Sequence, residues 1–292
     1  MKNTPGKNTS FPASVVLCTA GLLFLLPLIF TFTNSFMEES EILMNYSSRL
    51  TVFDLVEGLA EKFIRITLIP RKVTIGQYAE VLVNRPSFLV LLFNSLAITL
   101  PVTLGSLVFS FTTAYGFTFC RWKYREVLFA AYIATLLLPL QAVLVPNYII
   151  ADLLGIKDSI LAIILPGIFS PFGVFLMRQN LKSLPPSYVE AAEMDGAGHR
   201  HVLWFIVLPQ MRSSAAALAM LTFIEYWNLV EQAVIFITDY TREPLSVYLS
   251  RLSGAHTALV FAASCVYMLP PLWFLFSGRE LMERGIELSG IK

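Results

Sequence analysis

The sequence predicts an all-α integral membrane protein with six transmembrane helices. Composition is the first observation. Of 292 residues, 56% are hydrophobic and only 14% are charged, against roughly 25% charged in an ordinary soluble domain. The second is a set of uncharged runs near the ~20 apolar residues a helix needs to cross a ~30 Å bilayer core. The third is that ionisable residues avoid these runs in all cases but one. A mean hydropathy of +0.67 argues against a disordered chain or a soluble enzyme. A net charge of +1 gives no basic field for nucleic acid. Cys18, Cys120 and Cys265 stand far apart, with no C-x-x-C or Cys/His pairing, so neither a disulfide framework nor a zinc site is expected.

The elements follow in order. Residues 1–14 are a short cytoplasmic start carrying Lys2 and Lys7. Val15 to Phe36, 22 residues, is the first span. It is long for a signal peptide and closes without an A-x-A site, so it reads as a retained anchor. Residues 37–86 form a long extracytoplasmic loop. Within it, Leu50 to Ile69 has apolar residues at helical spacing and reads either as a surface helix or as a plain packed loop. Ser87 to Cys120 is uncharged for 34 residues, longer than one straight span needs. Val127 to Ala151, Ser159 to Met177 and Thr257 to Gly278 supply the third, fourth and sixth crossings. The fifth, Ser213 to Ile237, contains Glu225 and Glu231. Carboxylates are expensive in lipid, so these two should face protein, water or the membrane boundary. The five later helices form a core over residues 87–278, and 279–292 is a cytoplasmic tail.

Orientation follows from the short loops. Twelve basic residues fall on the side of the termini, among them Arg121, Lys123 and Arg125 in six positions, and Arg178, Lys182, Arg200 and Arg212 in the fourth connection. Only Lys157, Arg242 and Arg251 occupy the short loops of the other side. Both termini are expected in the cytoplasm.

Prolines at 27, 101, 139, 146, 166, 171, 270 and 271 bend or interrupt the spans. Asn94, Gln141, Asn147, Glu225 and Asn228 are polar groups with few outlets inside a helix. They are candidates for a solute path or for interhelical hydrogen bonds. No G-x-S-x-G, H-E-x-x-H or P-loop occurs, and only the fifth span carries ionisable groups. The chain is expected to be non-catalytic and to lack its own energy source.

The most informative segment is 178–212, between spans four and five. Ser187 with Glu190 fits a capping box, so Tyr188 to Asp195 should be a short helix. Gly196 and Gly198 would let the chain turn, and a second helical stretch from His199 would close on Leu208 and Pro209. Such an exposed helix–turn–helix suits docking against a partner, with Glu190 and Asp195 as its charges; an ordinary surface loop is the other reading.

Glu190-Ala191-Ala192, Asp195-Gly196-Ala197 and Ile206-Val207-Leu208-Pro209 resemble, in residues and spacing, the EAA loop of permease subunits in binding-protein-dependent ABC importers. Asn94-Ser95-Leu96, Leu138-Pro139 to Pro146, Trp227-Asn228 and the ending Arg284-Gly285-Ile286 to Gly290-Ile291-Lys292 look like the carbohydrate-importer branch that contains the maltose permease pair. Leu229-Val230-Glu231-Gln232 stands where that branch commonly continues with apolar and proline residues. The resemblance implies a type I permease fold with cytoplasmic coupling helices, in a bacterial inner or plasma membrane. It implies half of a translocation path for a sugar or oligosaccharide. The alternatives are a polyol, a glycerophosphodiester-type metabolite or a peptide, or a secondary carrier. Its partners would be a second homologous permease, two ATPase subunits and an extracytoplasmic solute-binding protein. No cofactor would bind this chain, since ATP and Mg would be used by the ATPases. Glu190, Ala191, Ala192, Asp195, Gly196, Leu208 and Pro209 would form the coupling surface.

Overall fold

The computed structural model describes residues 10–46, 67–120, 122–185, 187–252 and 257–288. Four of its helices are long and apolar enough to cross a membrane, and six crossings result when each of two bent helix pairs counts as one. The chain divides into two compact units, residues 1–88 with 251–268, and residues 89–250 with 269–292.

In the first unit, helix α1 (Ser10–Asn34) exposes Val16, Leu17 and Phe24, as a lipid-facing helix must. Its threonines bond back to their own helix, Thr19 to the Val15 carbonyl and Thr31 to that of Pro27. The chain then folds back through an antiparallel bridge between Met37 and Val73. Helix α2 (Glu39–Tyr46) is fastened by Glu41, whose carboxylate accepts the backbone N–H groups of Arg71 and Lys72. A short helix α3 (Gly76–Ala79) continues as a π-turn over Glu80–Asn84. Of the surface helix expected over 50–69, residues 50–66 lie outside the described residues, and Leu68 and Ile69 form a bend.

Helix α4 (Pro86–Phe119) runs unbroken for 34 residues despite Pro101, about 50 Å at 1.5 Å per residue. In the second unit its end is sealed by Arg125, which donates to the carbonyls of Thr118 and Cys120. A cation there also complements the helix dipole.

The third crossing is α5 (Arg125–Ala134), a 3₁₀ turn (Thr135–Leu137) and α6 (Leu140–Leu153), the two halves meeting at 106°. The cause is local. Pro139 pushes Leu138 out of the helical region, to ψ 127°. The fourth combines α7 (Leu161–Ile168) with α8 (Pro171–Lys182), which Ser170 caps by accepting the Gly173 N–H at 3.0 Å.

After the connection described below, α12 (Arg212–Trp227), the second half of the bent pair that begins at His199, carries the fifth crossing. It was expected to run to Ile237 and does not. Trp227 is fully buried and stacked on Phe223, and the Asn228 amide turns back onto the Ile224 carbonyl. Ser246 then takes the carbonyl of Leu229. With its carbonyls engaged by side chains, the chain restarts only at α13 (Glu231–Phe236). Helix α14 (Leu245–Arg251) and the long α15 (Thr257–Leu288) complete the chain.

Close approach in the second unit rests on small residues, as membrane helix packing requires. A Cβ on Gly167 would stand 2.7–2.9 Å from the Tyr226 ring and hydroxyl. Two apolar clusters result. One gathers Ile98, Leu144, Ile163, Leu229 and Phe236; the other gathers Phe111, Met177, Leu181, Val202 and Leu218.

Candidate coupling surface

Helix α9 (Ser187–Met194) buries Val189 and Ala192, one turn apart, in the second cluster, against Val202, Leu203 and Val207. Its other residues, Ser187, Tyr188, Glu190, Ala191, Glu193 and Met194, remain exposed, as does Asp195 beyond its end. The helix is thus anchored along one narrow apolar edge and presents a face of acidic and small residues together with the exposed Tyr188 and Met194.

It ends in a Schellman motif. The Gly196 N–H bonds to the Glu193 carbonyl at 3.0 Å and the Ala197 N–H to that of Ala192 at 2.9 Å. This closure needs a left-handed residue, and Gly196 supplies φ +83°. Gly198, also expected to help the turn, is extended (φ −73°, ψ 157°), a conformation any residue adopts.

The chain re-enters as α10 (His199–His201), widens into a π-turn (Val202–Val207) and closes in α11 (Leu208–Gln210). Pro209 has no N–H to return to Phe205 and its ring crowds that carbonyl. The stretch His199–Gln210 meets α12 at 79°. Leu208 is half-buried and Pro209 exposed at this elbow. The exposed His199 lies against the turn. Its Nδ1 lies 3.3 Å from the Tyr115 hydroxyl on α4 and 3.8 Å from the Glu193 carboxylate. A cleft of about 920 Å³ opens beside α9, with Glu190, Glu193, Arg125 and Lys182 in its wall.

Two features escaped the sequence reading. Arg178, one of the basic residues at the start of the loop, is 2% exposed. It pairs with Glu126 on α5 and lies 3.8 Å over the Phe129 ring. The second is a knot joining two distant loops. Asp158, at φ +58°, accepts the N–H groups of Thr238 (2.7 Å) and Asp239 (3.1 Å), and its own carbonyl accepts Arg242. The two backbone donors hold its carboxyl below the usual range. Asp158 in a Gly-x-x-Asp turn was the available signal; its partners, some 80 positions away, were not available.

The polar span residues divide. Asn94 donates to the carbonyls of Thr241 (2.8 Å) and Glu243 (3.1 Å), clamping α4 to the segment before α14. Gln141 donates to the Glu231 carboxylate at 3.2 Å. Asn228 bonds within its own helix. Asn147 is half-buried and Glu225 exposed.

Bent, proline-interrupted spans with an anchored but outward-facing helix–turn–helix define a polytopic membrane protein. The chain belongs to the family of binding-protein-dependent transport system inner membrane components, whose model matches residues 73–278. It is a permease of the ABC importer class. It is 30% identical over 208 residues to the sn-glycerol-3-phosphate transport system permease protein UgpE of Yersinia enterocolitica, covering 70% of this chain and 74% of that one. It is 29% identical over 203 residues to the lactose transport system permease protein LacG of Rhizobium radiobacter, covering 68% and 74%. Its fold matches a chain in the crystal structure of a bacterial ABC transporter that imports the acidic polysaccharide alginate. That match has a TM-score of 0.75 at 22% identity and covers 96% of this chain and 99% of the other.

Proposed function

We propose that this chain forms half of the translocation path of an ATP-driven importer for a sugar or oligosaccharide, and that α9 with its glycine turn is the element through which ATPase subunits drive it. The observation that carries this reading is the mounting of α9. Its apolar edge is packed into the core while Glu190, Glu193 and Asp195 face outward. A load applied to that face passes through the π-turn and the Leu208–Pro209 elbow into α12.

On this reading the chain is non-catalytic, and ATP with Mg is used by the two ATPase subunits. A second homologous permease supplies the other half of the path, and a solute-binding protein delivers the solute. Both termini and α9 lie in the cytoplasm, in keeping with the basic-residue bias. Lactose, named for one of the relatives, is a neutral, hydroxyl-rich sugar, which supports a sugar here. Coupling is a population shift: ATP and loaded binding protein both favour the outward-open state.

The test is purification of this chain with its neighbours, reconstitution in liposomes, and measurement of ATP-dependent uptake across a panel of sugars. Copurification of ATPase subunits and uptake that falls steeply in Gly196→Val are expected. Uptake by the single chain without any ATPase would contradict the proposal.

A further inference from the structure

Two spans break, and a hydrogen bond joins the breaks. Leu138 and Pro139 interrupt the third crossing, and Asn228 to Val230 interrupt the fifth. Gln141, just after the first break, donates to Glu231, just after the second, at 3.2 Å. On the proposed reading His199–Gln210 lies outside the membrane and α12 alone enters it. Helix α12 then rises ~24 Å over its 16 residues before its break, and Arg125–Leu137 rises ~20 Å before its own, each short of a ~30 Å hydrocarbon core. Non-helical backbone at such depth is tolerated where it is buried in protein or lines a water-filled cavity. Glu231 and Gln141 are both exposed, which excludes burial within this chain. A carboxylate at this depth is costly unless it faces water or a polar partner. Gln141 engages one carboxylate oxygen, Oε2; among the described residues Oε1 receives no hydrogen bond.

We infer that Glu231, positioned by Gln141 where the two spans break, is the solute-selecting group of this subunit: it offers an acceptor to the hydroxyls of a neutral sugar and repels solutes bearing phosphate or carboxylate. This rests on the proposal that the chain forms half of the translocation path. A carboxylate can take hydroxyl donors through Oε1 while Gln141 holds it in place. In a narrow low-dielectric passage the same charge raises the local concentration of cations and lowers that of anions.

The test uses charge probes, so it does not require the solute to be known. In the assembled transporter, with ATPases and binding protein, Cys18, Cys120 and Cys265 are replaced by alanine. Leu138, at the first break and 54% exposed, is changed to cysteine. The rates of modification by a cationic and an anionic methanethiosulfonate reagent are each divided by the rate with a free thiol in solution. A cation preference of roughly tenfold or more is expected, collapsing toward unity in the isosteric Glu231→Gln. Equal normalised rates before that change, or no reaction with either reagent, overturn the inference. ATP-driven uptake by the same preparations separates the two readings. A flat preference with uptake intact removes the selective role of Glu231 and leaves the transport role standing. Loss of ATPase copurification would remove the transport role itself.

Discussion

Nothing lies within 4 Å of where a Cβ on Gly196 would stand, so its requirement for glycine is one of backbone conformation and not of space. A side chain at φ +83° costs about 1–2 kcal/mol, and asparagine tolerates that region best among the rest. Gly196→Asn should therefore retain most ATP-driven uptake while Gly196→Val loses most of it, in proteoliposomes matched for complex content. Equal loss in both would point to a contact rather than to the turn. Arg178 makes a different demand. Its pairing with Glu126 joins α8 to α5, and removing either partner should lower the melting temperature of the detergent-solubilised complex. The double variant Arg178→Met with Glu126→Gln should melt higher than the sum of the single effects predicts, because a buried cation left alone is the larger penalty. Residue identity alone announced Gly196, since glycine after a short amphipathic helix is a readable stop. It did not announce Arg178, which in sequence looks like any other basic residue at the end of a span.

At the scale of elements, the crossings were legible because lipid demands a long uncharged run whatever the tertiary fold. Their bends were only partly so. Pro139 signalled a break, but the end of the fifth helix at Trp227 is made by Ser246 and by the Asn228 side chain, and the Ser246 bond reaches 17 positions along the chain. The Asp158 knot was invisible for the same reason. Its consequence is a pH dependence with a definite sign. A carboxyl held below its ordinary value of 3.8 contributes stability above that pH, and the contribution is lost as pH falls through the lowered value. Asp158→Asn, which keeps an acceptor and tolerates φ +58°, should melt with a shallower decline below about pH 4 than the parent. An unchanged acid limb would show that the two loops are held by other contacts. Packing makes a further demand where α7 meets α12. Gly167→Ala would force the Tyr226 ring aside and should cost about 1–3 kcal/mol, read as a lower melting temperature of the purified complex.

Across the whole molecule, the membrane architecture is an output of composition, whereas the site is an output of exposure. The EAA residues could be found by spacing, but which of them face outward could not, because that depends on Val189 and Ala192 meeting Val202, Leu203 and Val207. The same packing fixes one edge of α9 to the core and leaves its acidic residues outward, as the proposed coupling role requires. The most direct test replaces Glu190 with a photo-crosslinking residue in the assembled transporter, whose uptake is measured in parallel. Crosslinks to an ATPase subunit, in yields that change between the nucleotide-free and ATP-bound states, are the predicted result. Full uptake with Glu190 free of any neighbour in both states would contradict the account.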